Sequence, residues 1–196
     1  MNSESRLDRL ALARHILTLD YPYYGSAWLK ASPVSWVHDE SQHQRALAVA
    51  DTNPEVLIAV RRQIMQTYLE DHFYNDIPEH ASYSTFVYDS TWRPLSRVEM
   101  LQRVDTILAA AAARIAKVAA EEATRRSKAE AGGYLDKLPA PEFADLMVDL
   151  EALRRWFTAE LWDSVEPTWF DNGRDMDLEP AVIAVDGDFI AILWLQ

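Results

Sequence analysis

Two apolar, β-rich runs close the chain, and they limit its fold more than any other feature. The runs 181–185 and 188–194 are separated by Asp186-Gly187, a pair that is typical of a two-residue hairpin turn. Alternate residues of a strand face opposite sides, and both sides are apolar here. A lone hairpin is marginal in water. We therefore expect a third strand or a helix over each face, with 21–37 and 85–88 as the candidate additional strands.

A long helix is predicted in the middle of the chain. Ser96 and Glu99 have capping-box spacing, and no Gly or Pro follows before Gly132. A helix from Ser96 to Ala131 is about 52 Å long at about 1.5 Å per residue. Its apolar heptad seam consists of Leu101, Val104, Leu108, Ala111, Ile115 and Val118. Beyond Ala120 the sequence is polar on all sides, so we expect this end to project into solvent or to meet a partner.

A return helix is expected after the long one. Gly132-Gly133 ends the first helix, and Pro139 and Pro141 precede a broad apolar stripe that continues to about Ser164. The two helices together predict an antiparallel hairpin whose first arm is longer than its second.

Three more helices are predicted nearer the N-terminus. The first covers 3–19, and the second ends at about Ala50 after a cap at Asp39 or Ser41. Asn53-Pro54 is a helix-start signal, and the third helix should continue to about Tyr74. Its apolar positions are Leu57, Val60, Ile64 and Tyr68, with Arg61, Arg62 and Gln66 interleaved.

These elements predict an α+β fold that is predominantly helical, with a long antiparallel helical hairpin and a small antiparallel sheet that includes the C-terminal β-hairpin. We interpret residues 1–196 as a single domain. A mixed helical and aromatic body occupies 1–95, the helical hairpin 96–164, and an acidic loop with the β-hairpin 165–196.

Composition excludes several function classes. The chain has no Cys, which excludes thiol nucleophiles, iron–sulfur clusters and disulfide scaffolds. Its five Gly residues do not form a dinucleotide fingerprint, a Walker loop or a nucleophile elbow. No signal peptide or apolar run of membrane-spanning length is present. We expect a cytoplasmic protein without a cofactor.

The net charge of −12 is concentrated in the last third of the chain. Residues 1–135 hold 17 acids and 15 bases, whereas 136–196 hold 14 acids and 4 bases, so the net charges are −2 and −10. One interpretation is a solvated acidic face. A second is a docking surface for a basic partner, with aromatic side chains as anchors. The residues expected to bind that partner are Asp145, Asp149, Trp156, Glu160, Trp162, Asp163, Trp169 and Asp171.

A metal site is the third interpretation of the acidic segment. Asp171, Asp175, Asp177 and Glu179 alternate along a loop that contains Gly173, and hard cations prefer such oxygen ligands. The spacing does not match an EF-hand. His38 and His43 are five residues apart, which does not match the helical zinc motif either.

One group of residues is suited to acid–base chemistry. Glu70, Asp71 and His72, with Glu79 and His80, can meet around the end of the third helix. A histidine in the last turn of a helix is also favoured by the helix dipole alone, and that explanation is the more frequent one.

We therefore expect a non-enzymatic, acidic protein-binding module. Carboxylates along a rod can imitate a phosphate backbone, so one form of this expectation is an inhibitor that mimics nucleic acid. It would occupy a basic surface of a nuclease or another nucleic-acid-binding protein, as in the counter-defence of mobile elements. One alternative is an enzyme or ligand-binding protein with a His and carboxylate pocket. The other is a structural homodimer that uses the heptad seam and an open edge of the C-terminal strand. We expect no direct nucleic-acid binding and no membrane association.

Overall fold

The structure is a computed structural model and describes residues 27–34, 37, 39–71, 91–131, 150–162, 166–175 and 180–195. Five strands are present in these residues: β1 Ala27–Pro33, β2 Arg93–Leu95, β3 Thr168–Asp171, β4 Ala181–Val185 and β5 Phe189–Leu195. Three α-helices are α1 Glu40–Val49, α2 Pro54–Asp71 and α3 Arg97–Ala131. A fourth helix, α4, is described from residue 150 and ends in a π-helical turn, Trp156–Glu160.

The strands form one antiparallel sheet in the order β1-β5-β4-β3-β2. The predicted hairpin is confirmed, with Val185 opposite Ile190 and Ala181 opposite Trp194. The aromatic stretch supplies β1, which pairs with β5 along its whole length. Because β5 has β1 on one side and β4 on the other, the expectation of an open edge on the C-terminal strand is wrong. The run 85–88 lies outside the described residues.

Helices cover both faces of the sheet, as the apolar hairpin requires. On one face, Val182 and Leu193 share a core with α3 and α4. On the other, Ile183 and Trp194 share a second core with α2. The central strands β4 and β5 are therefore buried along their whole length.

The start of α3 confirms the predicted capping box. Glu99 Oε2 accepts a hydrogen bond from the Ser96 backbone N–H at 2.8 Å, and Ser96 Oγ accepts one from the Glu99 N–H at 3.3 Å. The apolar seam packs inside the chain, with Val104, Leu108, Ala111 and Ile115 all buried in the first core. The described part of this seam is therefore not a surface on which a second copy could dock.

The remaining helix predictions fall partly within the described residues. Asp39 caps α1, since its side chain accepts from the Ser41 N–H at 2.8 Å. The helix α2 begins at Pro54 as expected and continues to Asp71, and its predicted end at about Tyr74 lies outside the described residues. The predicted helix over 3–19 and the first part of the return helix lie outside the described residues. The α+β fold class is confirmed.

The π-helical turn in α4 contains a side-chain hydrogen bond and an aromatic contact to the sheet. Trp162 Nε1 donates to the Phe157 carbonyl at 2.7 Å, which satisfies an acceptor near the end of the helix. Trp169 of β3 lies edge-on to both rings, with centroid distances of 5.4 Å to Phe157 and 5.7 Å to Trp162. This aromatic group joins α4 to the sheet.

Candidate functional site

A buried arginine lies where α2 meets the ends of β3 and β4. Arg61 is only 1% exposed. Its Nη1 donates to the Glu166 carbonyl at 2.8 Å and to Thr168 Oγ1 at 3.1 Å, and its Nη2 donates to the Asp186 carbonyl at 3.2 Å. A buried charge needs such acceptors, because water no longer solvates it. Burial lowers the pKa of Arg61 to about 10, so the side chain stays cationic at neutral pH.

The same cluster includes His43 of α1 and the turn between β4 and β5. His43 is 4% exposed, and its Nε2 lies 3.5 Å from Arg61 Nε. Gly187 has a positive φ of 101°, which L side chains rarely adopt. A Cβ at this position would lie 2.0 Å from His43 Cε1. Glycine is therefore required here both by the backbone and by the imidazole ring.

Asp186 shapes this turn with its side chain. Its Oδ1 accepts from the backbone N–H groups of Asp188 and Phe189 at 2.9 and 2.8 Å, while its carbonyl accepts from Arg61. Burial raises the pKa of Asp186, although these two hydrogen bonds oppose the rise. The central turn residues are Gly187 and Asp188 rather than the predicted Asp186 and Gly187, because Asp186 N–H still pairs with the Phe189 carbonyl.

The Arg61 cluster acts as a structural tie between four segments. Its hydrogen bonds end on carbonyl and hydroxyl oxygens of the chain itself. Since the guanidinium is 1% exposed, no substrate atom reaches it in this arrangement. Its role is to hold α1 and α2 against the start of β3 and the end of β4, which are neighbours at one end of the sheet.

A cavity of about 250 Å³ opens between the start of α1 and the middle of α2. Its apolar wall consists of Val37, Val60 and Ile64, and Ile64 is 1% exposed. The polar lining residues are Asp39, Gln42, Gln63 and Thr67. Hydrogen bonds from the side chain and the backbone of Ser41 lower the pKa of Asp39 below its ordinary value. This carboxylate is therefore ionised at neutral pH.

The far part of α3 forms the most extended surface of the described chain. Among the described side chains of this helix, the last buried one is Ile115. From 116 to 128 the described side chains are exposed, apart from the half-buried Ala119 and Arg126. We call residues 116–131 the distal arm. At about 1.5 Å per residue, it is about 24 Å long.

The predicted acid–base group is described only in part. Glu70 is exposed on α2, and Asp71 ends that helix. His72, Glu79 and His80 lie outside the described residues. This group therefore remains a prediction.

The predicted partner-binding residues separate into buried and exposed ones. Trp156 and Trp169 are 5% and 2% exposed in the first core, so the expectation that they are exposed anchors is wrong. Trp162 is half-buried. Glu160 is exposed and bridges to Arg155 at 2.6 Å. Asp145, Asp149 and Asp163 lie outside the described residues.

The predicted metal-binding loop begins with a carboxylate that already has a cationic partner. Asp171 is 8% exposed, and its Oδ1 accepts from Arg103 Nε at 3.0 Å. Asp175 is exposed, whereas Asp177 and Glu179 lie outside the described residues. Within the described residues, no three His, Asp or Glu side chains are placed to share a metal ion.

The sequence reasoning missed the burial of Arg61, although a signal was present. Arg61 lies four residues after Leu57, three before Ile64 and seven before Tyr68, which places it within the apolar stripe of α2. A charged residue in that position requires buried acceptors. The sequence did not show which carbonyls would supply them.

No helix in the described part of the chain is both long and apolar enough to cross a membrane. Comparison with protein families, with curated proteins and with solved structures found no match to this chain.

Proposed function

We propose that this chain is a non-enzymatic binding protein that contacts a partner through the distal arm, which is nearly neutral, and places the acidic segment after it against a basic surface of that partner. The observation that carries the proposal is the excess length of α3. Its 35 residues extend about 52 Å, whereas the longest strands have 7 residues and extend about 24 Å. The sheet cannot cover more than about half of the helix. An exposed arm of this length is not needed to bury the core, but it does present a surface to another macromolecule.

We also propose that the arm is one side of an antiparallel helical hairpin. Arg154 of α4 bridges to Asp105 of α3 at 2.6 Å, and the two residues are 49 positions apart along the chain. If two antiparallel helices continue from this contact with equal rise per residue, the chain turns back midway between the two residues, at about residue 130. Gly132-Gly133 lies close to that position. This agreement supports a hairpin whose tip is near the two glycines.

Charge supports a basic partner. Residues 136–196 carry a net charge of −10, although several of their carboxylates already form salt bridges within the chain. Glu166 bridges to Arg97 at 2.8 Å and Asp171 to Arg103 at 3.0 Å. We therefore remove Asp171, Trp156 and Trp169 from the contact surface. The proposed contact residues are Asp145, Asp149, Glu160 and Asp163.

The specific form of the proposal is mimicry of nucleic acid. Carboxylates along the acidic segment would occupy the basic groove of a nuclease or a similar protein and release counterions as DNA does. If about four carboxylates engage, the affinity should fall about a hundredfold between 50 and 200 mM salt. Duplex DNA or RNA should compete with the chain for the partner. Flat salt dependence or the absence of competition would reject mimicry.

The experiment begins with a partner captured by crosslinking from cells that contain the chain, followed by affinity measurement with purified proteins. Charge reversal to Lys at Asp145, Asp149, Glu160 and Asp163 should weaken binding at least about tenfold, because charges at an interface control both encounter and affinity. Thermal unfolding should show that the variant remains folded.

Two control variants distinguish the acidic segment from the rest of the surface. Glu55→Lys with Glu70→Lys changes exposed charges on α2 and should leave the affinity within about twofold. His72→Ala with His80→Ala should have no effect. If the histidine variant abolishes activity and the charge reversals do not, the alternative of a His and carboxylate pocket is supported and the proposed function is wrong.

A further inference from the structure

The cavity between α1 and α2 combines an apolar wall with one ionised group. Val60 and Ile64 of α2 and Val37 before α1 form the wall. The charged group is Asp39 at the rim. Among the described residues that line the cavity, none is a lysine, arginine or histidine.

The chemistry of this lining selects a particular ligand class. The Asp39 carboxylate has about four acceptor positions, and hydrogen bonds from Ser41, including its N–H at 2.8 Å, and from the Gln42 backbone use part of them. Gln42, Gln63 and Thr67 add side-chain carbonyl and hydroxyl acceptors. A ligand that donates several hydrogen bonds from one cationic end and is apolar at the other end satisfies both parts of the lining.

The dipole of α1 acts against a cation, so its size must be compared with the nearby charge. A helix N-terminus carries about half a positive elementary charge. Asp39 caps this end and Glu40 lies in the first turn, so they contribute two negative charges, whereas Arg45 acts on the Asp39 carboxylate with one positive charge. The local charge is therefore negative, and the net charge of −12 of the whole chain has the same sign.

We propose that this cavity binds a small primary ammonium ion with a compact apolar body, such as an arylalkylamine or a branched alkylamine. The volume of about 250 Å³ lies just below the range usual for drug-sized ligands, which limits the occupant to about one ring. The proposal is independent of the distal arm, since none of the lining residues belongs to α3 or α4.

Benzylammonium is a suitable probe, and benzyl alcohol and benzoate are its neutral and anionic counterparts of similar size. A ligand of this size should bind with a dissociation constant of about 1 mM. We expect chemical-shift changes in a ¹H–¹⁵N NMR titration at the amides of Gln42, Gln63 and Thr67. Benzyl alcohol should bind at least about threefold more weakly, and benzoate more weakly still, because the rim charge favours a cation.

Variants locate the charge that matters. Asp39→Asn keeps a residue that caps helices equally well, so the fold is retained while the carboxylate is lost. It should weaken benzylammonium binding about threefold and leave benzyl alcohol unchanged. Glu40→Gln is the matched control, because it removes a neighbouring charge from a residue that is not among the described lining residues, and it should weaken benzylammonium binding less than Asp39→Asn does and leave benzyl alcohol unchanged. Thr67→Phe should fill the cavity and abolish the shifts, with thermal unfolding as the check on folding.

Three results would overturn the proposal. The first is equal affinity for benzylammonium and benzyl alcohol. The second is an equal effect of Asp39→Asn and Glu40→Gln, which would mean that the ligand responds only to the overall negative field. The third is a set of shifts that lies away from Gln42, Gln63 and Thr67.

Discussion

Replacement of Gly187 by Ala tests the packing at the Arg61 cluster most sharply. Gly187 has a φ of 101°, and an L residue in such a conformation costs about 1–3 kcal/mol. The new Cβ would also lie 2.0 Å from His43 Cε1 and 2.5 Å from both ring nitrogens. Relief of that overlap requires His43 to move out of a packed site, which costs about 1–3 kcal/mol more. We therefore expect Gly187→Ala to lower the free energy of unfolding by about 3 kcal/mol.

The assay is urea denaturation, with two variants that separate the causes. Gly173→Ala is the matched control for the backbone, because Gly173 has a φ of 70° and its Cβ would meet only Thr91 Oγ1 at 3.2 Å. It should cost about 1 kcal/mol. In the background of His43→Ala, the overlap is absent, so Gly187→Ala should cost about 1–2 kcal/mol less than in the wild-type background. Equal costs at Gly187 and Gly173, or no relief in the double variant, would refute the packing described for His43.

Three further predictions concern charged groups. Arg61→Met should lower the free energy of unfolding by about 3 kcal/mol in urea denaturation, because it removes the charged donor of the hydrogen bonds to the Glu166 and Asp186 carbonyls; a cost below about 1 kcal/mol would contradict its role as a tie. Asp186→Asn keeps an Oδ1 acceptor for the turn, and because burial raises the pKa of Asp186, the ionised carboxylate is disfavoured in the fold. The variant should be more stable than the wild type above that pKa, and this advantage should shrink as the pH falls below it in a series of thermal melts. The bond to Arg93 and the capping box lower the pKa of Glu99 to about 2 from its ordinary value of 4.5. The stability that ionised Glu99 adds over Glu99→Gln is therefore fully present above about pH 4.5 and should be lost as the pH falls towards 2. A difference in stability between the two proteins that does not change across this window would contradict the prediction.

Local signals predicted the helices and the hairpin well. The start of α3 follows from its capping box, and Pro54 marks the start of α2. These features depend on residues a few positions apart. The cover on both faces of the hairpin was also predictable, because a strand that is apolar on both sides must be buried on both.

Long-range pairing was not predictable in the same way. The short strand β3 was read as part of an acidic loop, because Thr168–Asp171 has only four residues and its partners in β2 and β4 are set by the whole sheet. Arg61 is stable in the core because it donates hydrogen bonds to carbonyls that are 105 and 125 residues away along the chain. Trp156 and Trp169 lie among acids in the sequence, yet their aromatic rings are more stable in the first core than in water. Neighbouring charge therefore did not indicate exposure.

The central claim is that the distal arm and the acidic segment after it form the contact surface, while the sheet and its helices form the scaffold. Hydrogen–deuterium exchange on the full chain, with and without the captured partner, tests this claim directly. The account predicts that the partner slows exchange in residues 116–131 and in the segment 136–164, with little change in β1, β4 or β5. Protection that is confined to α1, α2 and residues 72–80, with none on the arm, would contradict it.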